Sequence, residues 1–286
     1  MTPDETFLQA IREAPTDDAP RLIYADWLEE HGQADRAEFI RVQCRLSRIT
    51  RLPETDPQLF TLVSRAEDLL RSHWQDWVDP LREIVGPWRD RCGGGWMRTE
   101  YHPEGLREFR RGFVESLSLD AERFLRHARQ IQKLTPLREV RLWGAGRYAT
   151  ELANESTLAG LSVLGFMDYY DAPLTASDVT LLAASPYLDG LVALYLGRNS
   201  LGDEGVETLA HAPWMSGVKI LDLTDNGLSD RGAHALAESP HLMNLQTLLV
   251  RRNSFSRAGI AALTNSPNLR RVTRLEYDPA PGNLLL

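Results

Sequence analysis

Five carboxylates, Asp17, Asp18, Asp26, Glu29 and Glu30, fall close together, the raw material of a general acid–base pair or a cation site. Their places at the start and along one side of a helical run predict capping and a solvated helix face instead, with Asp26 pairing Arg21 or Arg36. Cys92 stands beside Gly93-Gly94-Gly95, with His73 and His102 nearby in the chain, which raises a thiol nucleophile or a phosphate-cradling loop. Neither pattern is complete. No Cys–His signature accompanies the cysteine, and the glycines lack G-x-x-x-x-G-K-[ST] and its strand–loop–helix setting. Gly144-Ala145-Gly146 is weaker still. His211, His234 and His241 do not stand at metal-ligand spacing, and Cys44 falls on the apolar side of a helix. No catalytic residue, metal or cofactor is expected.

The 286 residues carry Lys+Arg 32 against Asp+Glu 40, a net charge of −8. That balance disfavours a general pull toward nucleic acid or anionic membrane. Two cysteines exclude a disulfide framework or a Cys-based zinc cluster. No apolar run approaches the ~18 residues needed to span a bilayer. The acidic start, Met1-Thr2-Pro3-Asp4-Glu5, lacks the shape of a secretory signal. A soluble, cytoplasmic chain in a reducing compartment is expected.

The strongest pattern is a repeat. Leu191-x-x-Leu194-x-Leu196-x-x-Asn199-x-Leu201 returns 27 residues later as Val218-x-x-Leu221-x-Leu223-x-x-Asn226-x-Leu228. After the same interval comes Leu245-x-x-Leu248-x-Val250-x-x-Asn253-x-Phe255. Gly205, Gly232 and Gly259 keep step, as do Leu209, Leu236 and Leu263, and Pro186, Pro213, Pro240 and Pro267. Stepping back by this interval gives a weaker copy at Leu164, Met167, Tyr169 and Leu174, and another at Leu137, Val140 and Leu142. Stepping forward, Val272, Leu275 and Tyr277 begin a last strand. Gly112 to Leu119 alternates like a strand ahead of a helical run from Ala121 to Lys133, and serves as the opening unit. Each unit is a short strand and a helix, too small to bury its own apolar face, so stacked units must share one interior. Asn199, Asn226 and Asn253 form a structural ladder where the chain leaves each strand, satisfying turn groups whose loss costs ~1–3 kcal/mol.

Side chains next to the inward leucines face out of the sheet. They are Arg141, Trp143, Phe166, Asp168, Tyr170, Ala193, Tyr195, Arg198, Ile220, Asp222, Asp225, Thr247, Leu249, Arg251 and Arg252. Trp143, Tyr170, Tyr195, Ile220 and Leu249 are expected to fall near one line across successive strands. Contiguous apolar surface with aromatic and arginine side chains is the composition of a protein contact.

The repeated residues resemble the leucine-rich repeat family, in the α/β form of ribonuclease inhibitor, over roughly residues 112 to 277. The resemblance implies a curved solenoid, with a parallel sheet inside and helices outside, that binds protein partners on its concave face.

Ahead of it, residues 3–48 read as three helices. Thr2-Pro3-Asp4-Glu5 is a capping box, Asp17 or Asp18 caps a second helix closed by Gly32, and Asp35 to Glu38 is a further capping box. The string Phe7 to Ile11, Asp17 to Gly32 and Arg36 to Gln43 resembles the bacterial repeat-companion domain, a short module found ahead of repeats. A long helix starts at Asp56-Pro57, and residues 86–107 read as an irregular loop. The expected organisation is a small all-α module (1–50), a helical connector with an irregular loop (51–111) and an α/β repeat domain (112–286).

The function this favours is a non-catalytic scaffold or adaptor gripping a protein partner. A regulatory subunit, inhibitor or sensor acting on a partner enzyme in bacterial signalling or defence is the alternative. A cysteine-dependent enzyme built on Cys92 is the third reading.

Overall fold

The first helix begins with the capping box. Thr2 Oγ1 accepts from the Glu5 N–H at 3.2 Å, and the Glu5 carboxylate accepts from the Thr2 N–H at 3.0 Å. A computed structural model describes residues 2–49, 56–85, 109–167 and 172–279. Within them the chain divides into two compact units: 1–117 with 127–138, and 118–126 with 139–286.

In the first unit, α1 (Pro3–Glu13), α2 (Ala19–Glu30) and α3 (Ala34–Arg48) are followed by α4 (Pro57–Val85). Leu8, Ile11, Ala25, Leu28, Ile40 and Cys44 make a buried core with Phe113, which lies on the short strand β2 (Phe113–Val114) paired antiparallel with β1 (Phe109–Arg110). α4 runs through Pro80 to Val85. Two expectations are corrected. Asp35 does not cap α3: the cap position is Gln33, and Asp35, inside the first turn, meets His73 Nε2 at 2.9 Å. Asp26 pairs with neither Arg21 nor Arg36 but with Arg41, at 2.7 Å. Arg21 is drawn instead to Glu115, far along the chain, at 2.6 Å. The guanidinium of Arg36 lies over the rings of Trp77 and Phe113, at 4.6 and 5.6 Å, and burial lowers it to about 10.

In the second unit, β4 (Glu139–Trp143), β5 (Val163–Phe166), β6 (Ala193–Tyr195), β7 (Ile220–Asp222), β8 (Thr247–Leu249) and β9 (Arg274–Glu276) pair in parallel in chain order. With β3 (Ser116–Asp120) ahead of β4 the sheet has seven strands among the described residues. Helix α5 (Ala121–Leu134) follows β3, and α6 (Ala149–Ala153), α7 (Ala176–Ala183), α8 (Gly202–Ala210), α9 (Asp230–Glu238) and α10 (Arg257–Asn265) carry the crossovers. Val140, Leu164, Leu194, Leu221 and Leu248 align across five strands, and all are buried. That continuous interior is why units this small hold together.

Two side-chain ladders bind one unit to the next. Asn199 donates to the Phe166 and Leu196 carbonyls at 3.0 and 2.9 Å and accepts from the Leu174 N–H at 2.8 Å. Asn253 repeats this, donating to Leu223 and Val250 and accepting from the Asn226 and Leu228 N–H groups at 3.1 and 3.0 Å. Asn226 donates to Leu196 at 2.8 Å, while its Oδ1 is buried without a partner. On the helix side, Asp203 reaches across to the start of α9 and accepts from the Ser229 and Gly232 N–H groups at 2.8 and 2.9 Å. Asp230 does the same one unit on, taking the Ser256 N–H at 2.8 Å and its hydroxyl at 2.5 Å. The Ser256 hydroxyl and N–H hold the Asp230 carboxyl below the usual carboxylate range. The recurrent glycine follows: a Cβ at Gly259 would stand 2.2 Å from Asp230 Oδ1, and one at Gly232 would stand 2.6 Å from Asp203 Oδ1. Asn199→Ala strips a buried N–H and two carbonyls of their partners, and is expected to lower unfolding free energy by ~1–3 kcal/mol in a denaturant titration. Asn226→Ala, which loses donated bonds only, should fall below it.

Candidate functional site

The helix layer covers one face of the sheet, and the other face carries the partly exposed side chains. Strand register sorts that face into rows. Glu139, Val163, Ala193, Ile220, Thr247 and Arg274 form the first, and Arg141, Gly165, Tyr195, Asp222, Leu249 and Glu276 the second. Trp143 ends β4 beyond the second row, and Arg251 continues past Leu249 after β8.

The second row is the most organised part. Arg141 is anchored by Glu139 at 2.9 Å and extends to lie over the Tyr195 ring at 5.2 Å. It can cross β5 because residue 165 is glycine: a Cβ there would stand 3.2 Å from Arg141 Cγ. Asp222 Oδ1 accepts from the Thr224 N–H at 2.9 Å. Leu249 adds a half-buried apolar side chain, and Glu276 takes Arg251 at 3.2 Å and Arg274 Nε at 2.7 Å. Hydrogen bonding to Arg274 holds Glu276 below the usual carboxylate range. Beyond the strands, Arg198, Asp225 and Arg252 stand in the left-handed region at φ 63, 58 and 56, where non-glycine residues are uncommon.

Several expected positions change. Phe166 faces the interior, aligned with Leu142 and buried. The physical reason is a longer unit: Leu164 pairs with Leu194, an interval of 30 residues, while Leu174 keeps the shorter spacing to Leu201. The additional residues fall between strand and helix, so the inward set is Leu161, Leu164 and Phe166, and Met167 is not part of it. Trp143, Tyr195, Ile220 and Leu249 do not form one line. Ile220 lies in the first row with buried Ala193, and Asp222, not Ile220, stands between Tyr195 and Leu249. Asp168, Tyr169 and Tyr170 lie outside the described residues, as do Cys92, Gly93-Gly94-Gly95, His102 and the 86–107 stretch.

Among the described residues no group of three or more His, Cys, Asp or Glu side chains is placed to hold a metal ion. Cys44 is buried, and its thiol is pushed up to about 12 by that burial, so it stays protonated at neutral pH. Among the described residues, no helix is long and apolar enough to cross a membrane.

Residues 191–210 and 218–237 match the Leucine Rich repeat family model. These two units are leucine-rich repeats. They span β6 through most of α9, and the unit of β8 and α10 follows the second repeat in the same strand register. No curated protein matches the chain.

Proposed function

We propose that this chain is a non-catalytic protein-binding scaffold or adaptor that grips its partner with the open sheet face of its leucine-rich repeats. The observation that carries the reading is the second row. Tyr195 is held by Arg141, and Asp222 and Leu249 follow in adjacent strands with part of each side chain exposed. An aromatic, a charge and an aliphatic side chain already fixed in place lose little freedom on binding. Leucine-rich repeats commonly mediate protein–protein contact, which supports the same reading.

In its finer form, the sheet is the concave side of a curved, ribonuclease-inhibitor-like solenoid in a soluble, cytoplasmic bacterial chain. The helices of residues 3–48 are then a repeat-companion module that offers a second surface. This form rests on the resemblance of Asp17 to Gly32 and of the repeat residues.

Affinity capture from source-cell extract tests the proposal. The wild-type chain should retain a protein that Tyr195→Ala and Asp222→Lys each weaken by ~30-fold, the ~2 kcal/mol loss of an interface centre. His234→Ala on α9 should leave it unchanged. Equal retention by the wild type and both sheet variants, all with wild-type melting curves, would remove the open face from the mechanism.

A further inference from the structure

Among the described residues, β9 is the last strand of the sheet, and its inward side chains are less covered than those of the units before it. Val218, Leu221 and Leu223 in one unit, and Leu245, Leu248 and Val250 in the next, are buried. The corresponding Val272, Leu275 and Tyr277 are not, and Tyr277 is 38% exposed. The helix ladder also stops here. Arg257 occupies the position held by Asp203 and Asp230, so the carboxylate that caps the following helix is replaced by a cation.

Among the described residues, the backbone of β9 defines an edge. The Arg274 N–H donates to the Gln246 carbonyl at 3.1 Å, and the Glu276 carbonyl accepts from the Val250 N–H at 2.8 Å. Residues 274 and 276 therefore turn their backbone groups toward β8. By the alternation of a strand, Leu275 and Tyr277 turn theirs outward, a template for a further strand.

We propose that β9 pairs with β9 of a second copy of this chain, antiparallel about a two-fold axis through Leu275. Only this centre satisfies both hydrogen bonding and charge. It sets Leu275 against Leu275 as a hydrogen-bonded pair, each N–H donating to the other's carbonyl, and sets Arg274 opposite Glu276 twice. A centre at Arg274 or Glu276 would oppose like charges, and a centre at Tyr277 would oppose Glu276 and Asp278. The same pairing sets the half-buried Leu275 against its counterpart, as an isologous contact requires, and sets the exposed Tyr277 opposite Thr273.

Sedimentation equilibrium of the full chain tests this, and charge reversal makes the test specific. The wild-type chain should show a concentration-dependent monomer–dimer equilibrium. Arg274→Glu alone faces two carboxylates with two carboxylates, and Glu276→Arg alone faces two cations with two cations, so each should weaken the dimer tenfold or more. Mixed in equal amounts, the two variants become complementary at both positions and should recover the dimer as a heterodimer. Damage to the end of the sheet would produce no such recovery. A wild-type chain that stays monomeric to about 1 mM, single variants that dimerise like wild type, or a mixture that stays monomeric would each overturn the proposal.

Discussion

Glu115→Ala is expected to destabilise the first unit by about 3–5 kcal/mol, the largest effect of any single side-chain deletion outside the apolar core. Arg21 and Glu115 meet at 2.6 Å with side-chain exposures of 0% and 3%. Arg21 also donates to the Asp17 carbonyl at 3.0 Å, but its Nε is buried without a partner. Deleting the carboxylate leaves a guanidinium with neither water nor counter-charge. The surface pair Arg65–Glu38, at 2.5 Å but with exposures of 47% and 42%, should by contrast contribute little, because solvent screens it. The double variant Arg21→Met/Glu115→Leu separates the two contributions, because removing both charges together removes the desolvation penalty as well. Denaturant unfolding of both singles and the double should show the double closer to wild type than either single. Additive losses would contradict a coupled buried pair.

Gly112→Ala is expected to lower stability by about 2–5 kcal/mol, from a left-handed backbone at ~1–2 kcal/mol and overpacking at ~1–3 kcal/mol. Gly112 has φ 92, and a Cβ there would lie 2.4 Å from Ile40 Cγ1 and 2.8 Å from Ile40 Cα. The second contact is with backbone, which cannot rotate away. Gly112 also donates its N–H to Gln43 Oε1 at 2.6 Å, tying the strand entry to α3. Gly227, at φ 70 with no atom within 4 Å of its added Cβ, is the control. Gly227→Ala pays the backbone term alone and should lose about 1 kcal/mol. Equal shifts of the denaturation midpoint in the two variants would remove the steric argument.

What could be read from the residues follows from how local each signal is. The repeats over 191–263 are legible because apolar positions, Asn199, Asn226 and Asn253, and the glycines all recur at one interval. The capping box at Thr2 is legible because both partners lie within one turn. The inward role of Phe166 is hidden by a longer unit, since counting a constant interval back from Leu194 lands on Met167. The rows of the open face depend on cross-strand register, which no single unit contains: Ile220 and Tyr195 both flank inward leucines, on opposite sides of them. The Arg21–Glu115 pair joins residues 94 positions apart, and Arg21 sits in a helix where an arginine ordinarily faces water. The helix-side caps have a usable signal in Asp203 with Ser229 and Asp230 with Ser256, each 26 residues apart.

The claim that the open sheet face is the binding surface is tested most directly by photo-crosslinking. A benzoylphenylalanine at Leu249, on the open face, should trap one protein from source-cell extract. The same group at Ala261, on the exposed side of α10, should not. Trapping of that protein from Ala261 and not from Leu249 would place recognition on the helix layer and contradict the account.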